Sequence, residues 1–468
     1  MKWFSLYLLM AVCMFISTAK ADDLPVVGIC VGASGNQMYP DIDGDIVVWQ
    51  DDVKGPADID IYWKHFGDPN DPNTFDLSAN EDVPAVSGNV IVYQDKWSST
   101  RDIRAYNLLS LSPIDLTGIH FEDGVNQKNP DVSGDYIVYE HLAGSVYDVY
   151  VYEIGAGLPT AAIEASSTHQ LRPAVDGNLA VWMDGRDDGY AGYDIYMCDV
   201  SVKPYTAAAV HASGGDQWNP AVSGNLIVWE ELGSGTVTLM AYDLSVPGII
   251  WTHTVPATNA YPAVSNGIIV WQEDNGSDYD IRSYDTATGG YLEIATGVQD
   301  DERPAISGRR VVWQRNGTDI VGAVIPSPTV IQVDTPVAGE MYLAGTQIEI
   351  TWQLADGTPP EYLDIDCSVN NGAAWQTVVE DVPFTDLQYT WDPIVDVNSI
   401  DSCQIRVSDA LDSTTSGISG VFSIFQCDAD LTADLTGDCF VDIADVAELA
   451  RQWLDCGNPH DPAWCLGN

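Results

Sequence analysis

Short apolar runs recur along the first two thirds of the chain, and polar turns separate them at a regular interval. The clearest copies are residues 84–93, PAVSGNVIVY, and residues 220–229, PAVSGNLIVW. The Ser-Gly-Asn between the two runs is typical of a hairpin, because glycine tolerates positive φ. The run after this turn is continuously apolar, which predicts a strand buried on both faces. The next run alternates, which predicts a strand with one wetter face.

The interval identifies an internal repeat of 42 to 47 residues. A unit of this length with four short strands is typical of a propeller blade. In six of the seven units, an aromatic or polar residue precedes the proline that marks the unit. These prolines are Pro40, Pro84, Pro130, Pro173, Pro220, Pro262 and Pro304. The aromatic residues that end the second strand are Trp49, Tyr93, Tyr139, Trp182, Trp229, Trp271 and Trp313, and we expect them to pack between blades.

The seventh unit stops after its third strand, near Ile325. Residues 24–30 (LPVVGIC) are similar to the strand that precedes each later repeat, such as residues 291–295. We therefore expect residues 24–30 to supply the missing fourth strand and close the ring. Closure would remove the open sheet edges that otherwise promote aggregation.

With these repeats, residues 24–326 resemble the blades of the TolB-type propeller family. The resemblance implies a seven-bladed β-propeller over residues 22–326. It is weak evidence for function, since propellers of this type bind proteins, bind glycans or cleave polysaccharides. The loops between second and third strands vary most and should lie on one rim, where propellers usually bind. The longest of them spans residues 184–193. These rim loops either hide a carboxylate pair for glycoside cleavage or are solvated acidic loops.

An Asp opens the third strand in six of the seven repeats: Asp60, Asp102, Asp148, Asp194, Asp280 and Asp319. Because catalytic residues break a repeat, we interpret this Asp as a hydrogen-bonding residue at a turn or strand end.

The charge excludes several classes of partner. The chain of 468 residues has 69 Asp and Glu against 18 Lys and Arg, a formal net charge of −51. Nucleic-acid-binding proteins neutralise phosphates with clustered basic residues, and docking on anionic lipid needs basic patches. The composition, 46% hydrophobic with 15 Trp, also argues against disorder. We therefore expect a folded protein without a nucleic-acid partner.

Residues 1–21 have the layout of a secretory signal peptide. Lys2 precedes an apolar core, and Ala19-Lys20-Ala21 is a small-x-small cleavage site. A membrane anchor is the alternative, but the apolar run is shorter than the roughly 20 residues that a span needs. We expect cleavage near Ala21, no membrane span, and a secreted protein, extracellular or periplasmic. Eight of the nine Cys remain after cleavage, an even number that suits an oxidising compartment.

Residues 327–426 lose the repeat and show short alternating strands, which predict a β-sandwich. The segments 336–352 and 370–375 resemble the secreted Ig-like module related to the Kre9/Knh family. That resemblance implies a spacer or wall-associated domain. Cys367 and Cys403 either pair across the sandwich, which we prefer, or remain two buried thiols.

Residues 427–468 contain the sharpest chemical motif, DLTGDCFVDIAD at 434–445. Its oxygens recur at positions 1, 3, 5, 9 and 12, with a backbone carbonyl due at position 7, and this spacing suits calcium. An amphipathic helix follows, with Ile443, Val446, Ala447, Ala450, Trp453 and Leu454 on one stripe.

The loop and helix resemble one half of a dockerin, the module that docks secreted enzymes on cohesin scaffolds. The resemblance implies the ligands Asp434, Thr436, Asp438, the carbonyl of Phe440, Asp442 and Asp445. Three departures put a cohesin-like partner in question: Cys439 replaces a turn glycine, Thr436 replaces Asn or Asp, and a second loop is missing. A cell-surface partner is the other possibility. Four Cys in this segment (Cys427, Cys439, Cys456 and Cys465) predict two disulfides.

The sequence contains no catalytic constellation. Its seven His are scattered, and it lacks a Gly-x-Ser-x-Gly elbow and a phosphate-binding loop. We expect a secreted binding or scaffold protein, with a carbohydrate or protein ligand on the propeller rim and a calcium-binding tail for attachment. The alternative is a lyase or glycosidase that acts on polysaccharides at the same rim.

Overall fold

The computed structural model describes most of the chain and divides it into two compact units between Ile325 and Pro326. The predicted leader, residues 1–21, and the four Cys of the tail lie outside the described residues. Those described are 24–55, 58–74, 80–96, 100–116, 125–156, 161–186, 192–211, 215–233, 236–256, 259–357, 359–392, 399–410, 413, 415–426, 433–436 and 441–454.

The described part of the N-terminal unit consists of short antiparallel strands. The first fourteen are β1 Val27–Cys30, β2 Gln37–Asp43, β3 Ile46–Asp51, β4 Asp60–His65, β5 Asn73–Thr74, β6 Asn80–Ser87, β7 Val90–Lys96, β8 Asp102–Asn107, β9 Ser112–Ile114, β10 Gln127–Ser133, β11 Tyr136–Ala143, β12 Val146–Glu153, β13 Ala161–Ala162 and β14 Gln170–Asp176. The next fourteen are β15 Leu179–Asp184, β16 Asp194–Asp199, β17 Ala208–His211, β18 Asp216–Ser223, β19 Leu226–Leu232, β20 Val237–Asp243, β21 Ile249–Val255, β22 Ala263–Ser265, β23 Ile268–Asp274, β24 Tyr279–Asp285, β25 Gly290–Ala295, β26 Asp301–Ser307, β27 Arg310–Arg315 and β28 Asp319–Val324.

Within the described residues these strands form seven four-stranded sheets, one for each sequence repeat. Six sheets take four consecutive strands each, from β2–β5 to β22–β25. The first strand of each sheet lies against the first strand of the next, and β26 lies against β2, so the sheets follow one another in a closed circle. This arrangement is propeller-like, as the repeat predicts.

The seventh sheet has the strand order β1-β28-β27-β26. Val27 lies opposite Gly322, and Gly28 lies opposite Val321. Ile29 is 2% exposed and packs with Trp49 of the first sheet and Ile320 of the last. The predicted closing strand is therefore confirmed: residues from the start of the unit complete its final sheet.

Aromatic side chains fill the space between sheets. The seven aromatic residues at the end of the second strands are at most 1% exposed. Trp271, for example, shares a cluster with Val228 and Leu239 of the preceding sheet. The prediction that this set packs between blades is confirmed.

Hydrogen bonds also join the sheets, and they connect the hairpin formed by the first two strands of one sheet to the same hairpin of the next sheet. In each repeat, the residue that ends the first strand offers a side-chain oxygen to the backbone N–H of a turn residue in the next repeat, over 2.6–3.2 Å. We call these seven residues the turn ring. They are Asp43, Ser87, Ser133, Asp176, Ser223, Ser265 and Ser307. This ring explains why Ser-Gly or Asp-Gly recurs at the hairpin, since the side chain must accept a bond.

The C-terminal unit has two sheets and one helix in its described part. Its elements are β29 Val330–Thr335, β30 Met341–Leu343, β31 Ile348–Asp356, β32 Tyr362–Ser368, β33 Gln376–Pro383, a 3-10 turn at Phe384–Asp386, β34 Gln388–Trp391, β35 Ser399–Asp409, β36 Ser416–Ile418, β37 Phe422–Phe425 and α1 Ile443–Leu454. One sheet has the order β29-β31-β34; the other has the order β30-β37-β35-β32-β33, with β36 paired to β35. Both sheets share one core, in which Trp352, Ile405 and Phe422 are buried.

The preferred disulfide between Cys367 and Cys403 is wrong: both are free, buried thiols. They do not face each other across two sheets. They lie on adjacent strands of one sheet, where Cys367 is opposite Ile405 and Cys403 is therefore its diagonal neighbour. Diagonal positions are about 7–8 Å apart, beyond the usual Cα separation of a disulfide. Burial raises the pKa of the Cys367 thiol to about 12.

The helix predicted after the acidic loop is α1. Asp442 precedes its first residue, and the Oδ1 atom of Asp442 accepts a hydrogen bond from the backbone N–H of Ala444 over 2.7 Å. This is the bonding of an N-cap residue. Ile443 and Val446 of the predicted apolar stripe are 78% and 56% exposed. Among the described residues, no helix is long and apolar enough to cross a membrane.

Candidate functional site

The first strands of the seven sheets surround a central cavity of about 450 Å³. Each repeat contributes the proline that marks it and the residue before that proline. The cavity therefore lies where the repeats converge. Any departure from the repeat at these positions gives the cavity its chemistry.

The residue before each proline has a left-handed backbone, with φ between 46° and 54°. Non-glycine residues rarely adopt this conformation, and it costs about 1–3 kcal/mol per residue. In six sheets the register between the first and second strands shifts at this point. We call these seven residues the mouth ring. They are Tyr39, Val83, Asn129, Arg172, Asn219, Tyr261 and Arg303.

The strained backbone is held by the preceding repeat. In five repeats, the backbone N–H of the mouth-ring residue donates to a Gln or Glu side chain over 2.7–3.0 Å. The acceptor directly follows the buried aromatic of the second strand. The acceptors are Gln50, Gln94, Glu140, Glu230 and Gln272. The backbone of the ring is thus fixed by the repeat, whereas its side chains vary.

One side of the mouth ring is an arginine between two tyrosines. The guanidinium carbon of Arg303 lies 4.5 Å from the ring centroid of Tyr39 and 4.3 Å from that of Tyr261. An Nη atom of Arg303 also donates to the Tyr261 hydroxyl over 3.3 Å. Such stacking fixes the guanidinium plane and leaves its other N–H groups available for a ligand.

The opposite side of the ring is polar. Arg172 donates a hydrogen bond to the Asn219 side chain. The Nδ2 atom of Asn219 in turn donates to Glu230 over 2.9 Å. Burial raises the pKa of Glu230, while these hydrogen bonds and the charge of Arg172 oppose the shift. These hydrogen bonds hold Arg172, which remains exposed to solvent.

Two carboxylates line the cavity, and each belongs to the residue that directly follows the proline of its repeat. Asp41 and Asp131 occupy a position that is Ala in the other five repeats. Each accepts a hydrogen bond from the backbone N–H of the next first strand: Asp41 from Val86 over 2.8 Å, and Asp131 from Val175 over 2.7 Å. Burial raises the pKa of Asp41 to about 6. Burial, reinforced by the charge of Asp41, raises that of Asp131 to about 7.

In the longest rim loop, the carboxylate that opens the loop already has several hydrogen-bond partners within the protein. Asp184, which opens the longest loop, is 1% exposed and accepts hydrogen bonds from Gln170, Trp182 and Arg186. Residues 187–191 of that loop lie outside the described residues. Two of the six third-strand Asp residues accept hydrogen bonds from the backbone, as predicted for them: Asp148 accepts from Ser166, and Asp319 accepts from Gly32.

Four of the six predicted calcium ligands are described, and hydrogen bonds connect them. The Oδ1 atom of Asp445 accepts from the backbone N–H of Leu435 and Thr436, and its Oδ2 atom accepts from that of Asp442 over 2.7 Å. The Thr436 hydroxyl lies 3.4 Å from Asp434 Oδ1. These bonds, that from Asp442 first, lower the pKa of Asp445 to about 2.

The other two predicted ligands, Asp438 and Phe440, lie outside the described residues. Within the described chain, no group of three or more His, Cys, Asp or Glu is arranged to hold a metal ion. The oxygen-rich set nevertheless fits calcium in its chemistry, because hydroxyl and ionised carboxylate oxygens are its usual ligands.

A second cavity, of about 440 Å³, lies in the C-terminal unit between β33 and β34. Its wall includes Trp375, Tyr389, Trp391 and the Cys367 thiol, with Asp392 as the one charged residue among the described ones that line it. It combines aromatic surface with little charge, so the central cavity is the stronger candidate for specific recognition.

Comparisons with known proteins add little. No protein-family model and no curated protein matches the chain. A TolB structure from Agrobacterium tumefaciens is 13% identical and has a TM-score of 0.37, over 47% of this chain and 82% of that one. The acylaminoacyl peptidase of Pyrococcus horikoshii is 10% identical with a TM-score of 0.45, over 66% of this chain and 59% of that one. A post-proline cleaving enzyme from Rickettsia typhi is 8% identical with a TM-score of 0.42, over 80% and 58%.

The match spans less than two thirds of the length of both peptidases. Similarities this weak support no argument about function. The propeller-like assignment rests on the closed circle of sheets in this chain.

Proposed function

We propose that this chain is a secreted binding protein, and that its ligand enters the mouth ring of a seven-bladed propeller. The observation that carries the proposal is the mouth ring itself. Seven strained backbones surround one cavity, five of them held by a hydrogen bond to the preceding repeat, and their side chains differ from repeat to repeat. Strain of this kind is typical of functional sites, where the surrounding fold maintains it.

Seven blades agree with the seven four-stranded sheets among the described residues, and with the pairing of β1 and β28 that closes the circle. A closed ring is rigid, because the turn ring and the buried aromatics join every sheet to the next. Rigid scaffolds suit recognition, since little conformational entropy is lost when the ligand binds.

The C-terminal unit serves in this proposal as an Ig-like spacer followed by a dockerin-like tail. The tail would bind calcium through Asp434, Thr436, Asp438, the carbonyl of Phe440, Asp442 and Asp445. Calcium would order the loop ahead of α1, whose Ile443 and Val446 are exposed and available to a cohesin-like or cell-surface partner. Secretion would follow cleavage near Ala21.

A glycan-array and degradation screen on the full chain tests binding against catalysis. We expect a glycan or protein to be retained without any release of product. Product release in the absence of an added partner would contradict the proposal and favour a polysaccharide-active enzyme. A ligand whose retention is unaffected by substitutions in the mouth ring would place binding elsewhere and would also contradict it.

A further inference from the structure

Among the described residues, two arginines of the mouth ring have no carboxylate oxygen within 4.0 Å. Of the eleven Arg in the sequence, eight have a carboxylate within 4.0 Å in the described structure. Within that part of the chain, Arg172, Arg303 and Arg310 have none. Arg310 lies at the other end of the first hairpin, where it donates to the carbonyl of Gly44 over 3.3 Å. The other two are both in the mouth ring.

This absence of ion pairs is informative because the protein has 69 acidic residues for 18 basic ones. With that excess, an arginine that reaches the surface even in part usually meets a carboxylate, as the other eight do. The stacking of Arg303 on Tyr39 and Tyr261 holds the guanidinium without neutralising it. The planar N–H groups are matched to the two oxygens of a carboxylate.

The other groups that line the cavity require more of a ligand than a negative charge. Asp41 and Asp131 line it and can accept hydrogen bonds from hydroxyl groups. Tyr39, 37% exposed, offers ring surface that suits the apolar face of a pyranose. A ligand that satisfies all these groups has one carboxylate, several hydroxyl donors and a flat apolar face.

These features favour an acidic sugar over other anions. A nucleic acid or another dense polyanion would be repelled by a net charge of −51. The terminal carboxylate of a peptide would satisfy an arginine but would not bring several hydroxyl donors to Asp41 and Asp131. A uronic acid brings both groups on a single ring.

We infer that the mouth ring binds a uronic acid unit of an acidic oligosaccharide. The guanidinium of Arg303, stacked on Tyr39 and Tyr261, donates hydrogen bonds to the carboxylate of the sugar. Arg172 supplies the second positive charge. Asp41 and Asp131 accept hydrogen bonds from the hydroxyl groups of the sugar. This inference rests on the proposed function and names the ligand class of the same site.

Isothermal titration of the full chain tests the inference with four probes: trigalacturonate, trimannuronate, neutral galactotriose and an N-acetylated tripeptide with a free carboxyl terminus. We expect at least one of the two uronates to bind, and galactotriose and the tripeptide to bind at least tenfold more weakly. Failure of both uronates, or equal binding of galactotriose, would overturn the inference. Binding of the tripeptide in preference to both would replace the sugar by a peptide ligand.

Arg303→Gln should weaken uronate binding at least tenfold, and Arg303→Lys should not restore it, because ammonium lacks the planar fork. Arg310→Gln removes the same charge at the other end of the hairpin and should leave affinity within twofold. Equal effects of Arg303→Gln and Arg310→Gln would overturn the inference. Arg303→Lys keeps the charge and should keep the unfolding midpoint, so a lost signal in that variant reports on the site. If a neutral glycan or a protein binds in a way that depends on Arg303, the proposed function stands and only the uronate is wrong.

Discussion

The hydroxyl oxygen of Ser307, in the last repeat, accepts a hydrogen bond from the backbone N–H of Gly44, in the first repeat, over 2.9 Å. The two residues are 263 positions apart in the chain. The bond completes the turn ring, whose other members join consecutive repeats.

Removing this bond should weaken the propeller as much as removing a bond between consecutive repeats. Ser307→Ala and the matched Ser133→Ala should each lower the free energy of unfolding by about 1 kcal/mol, the usual net value of one hydrogen bond. Urea unfolding measures both. If Ser133→Ala destabilises the protein and Ser307→Ala does not, the ring is open between its first and last sheets.

The closing strand depends on the burial of Ile29. Ile29→Ala removes a side chain that is 2% exposed and should cost about 2–5 kcal/mol in the free energy of unfolding. Val31, which is 60% exposed, provides the control, and Val31→Ala should change stability by less than about 0.5 kcal/mol. Equal small effects in urea unfolding would show that β1 does not pack into the last sheet.

The carboxylates of the cavity should make stability depend on pH. The pKa of Asp131 is raised to about 7 in the folded protein, so the folded state holds a proton that the unfolded chain releases above its ordinary value of 3.8. The resulting stabilisation is complete below about pH 4 and is lost as the pH rises through about 7. Asp41, with a pKa raised to about 6, acts in the same direction at slightly lower pH.

Asp131→Asn keeps the acceptor for the Val175 N–H and removes the ionisation. Relative to the natural protein, this variant should gain stability between pH 5 and pH 8 in urea unfolding. A difference between the two proteins that does not change with pH would contradict the raised pKa.

The tail should bind one calcium ion. Asp438→Ala should abolish the corresponding site in a calorimetric titration of the full chain, because calcium needs several carboxylate oxygens at this spacing. Glu448→Gln removes one carboxylate from the neighbouring helix, outside the ligand set, and should leave the isotherm unchanged. An isotherm that Asp438→Ala does not alter would refute the ligand set.

The repeat allowed much of the fold to be predicted. The position of Pro40 and its equivalents, the buried Trp49 and its equivalents, and the incomplete seventh unit together placed the sheets and the closing strand. These predictions succeeded because each depends on a local pattern that recurs, so one copy supports the others.

The mouth ring could not be found in the same way. Left-handed backbones are usually inferred from Gly or Asn, and here Tyr39, Arg172 and Arg303 adopt them because the register shifts within the first hairpin. A usable signal did exist: Asp41 and Asp131 stand where the other repeats have Ala. The free thiol of Cys367 could not be predicted either, because the spacing of Cys367 and Cys403 in the sequence does not reveal the strand register that separates them.

A crystal structure of the full chain with trigalacturonate would show where the acidic sugar binds. We expect a carboxylate of the sugar against the guanidinium of Arg303, between Tyr39 and Tyr261, with hydroxyl groups directed toward Asp41 and Asp131. Sugar bound only at the outer loops of the propeller, or only in the cavity beside Trp375, would contradict this expectation.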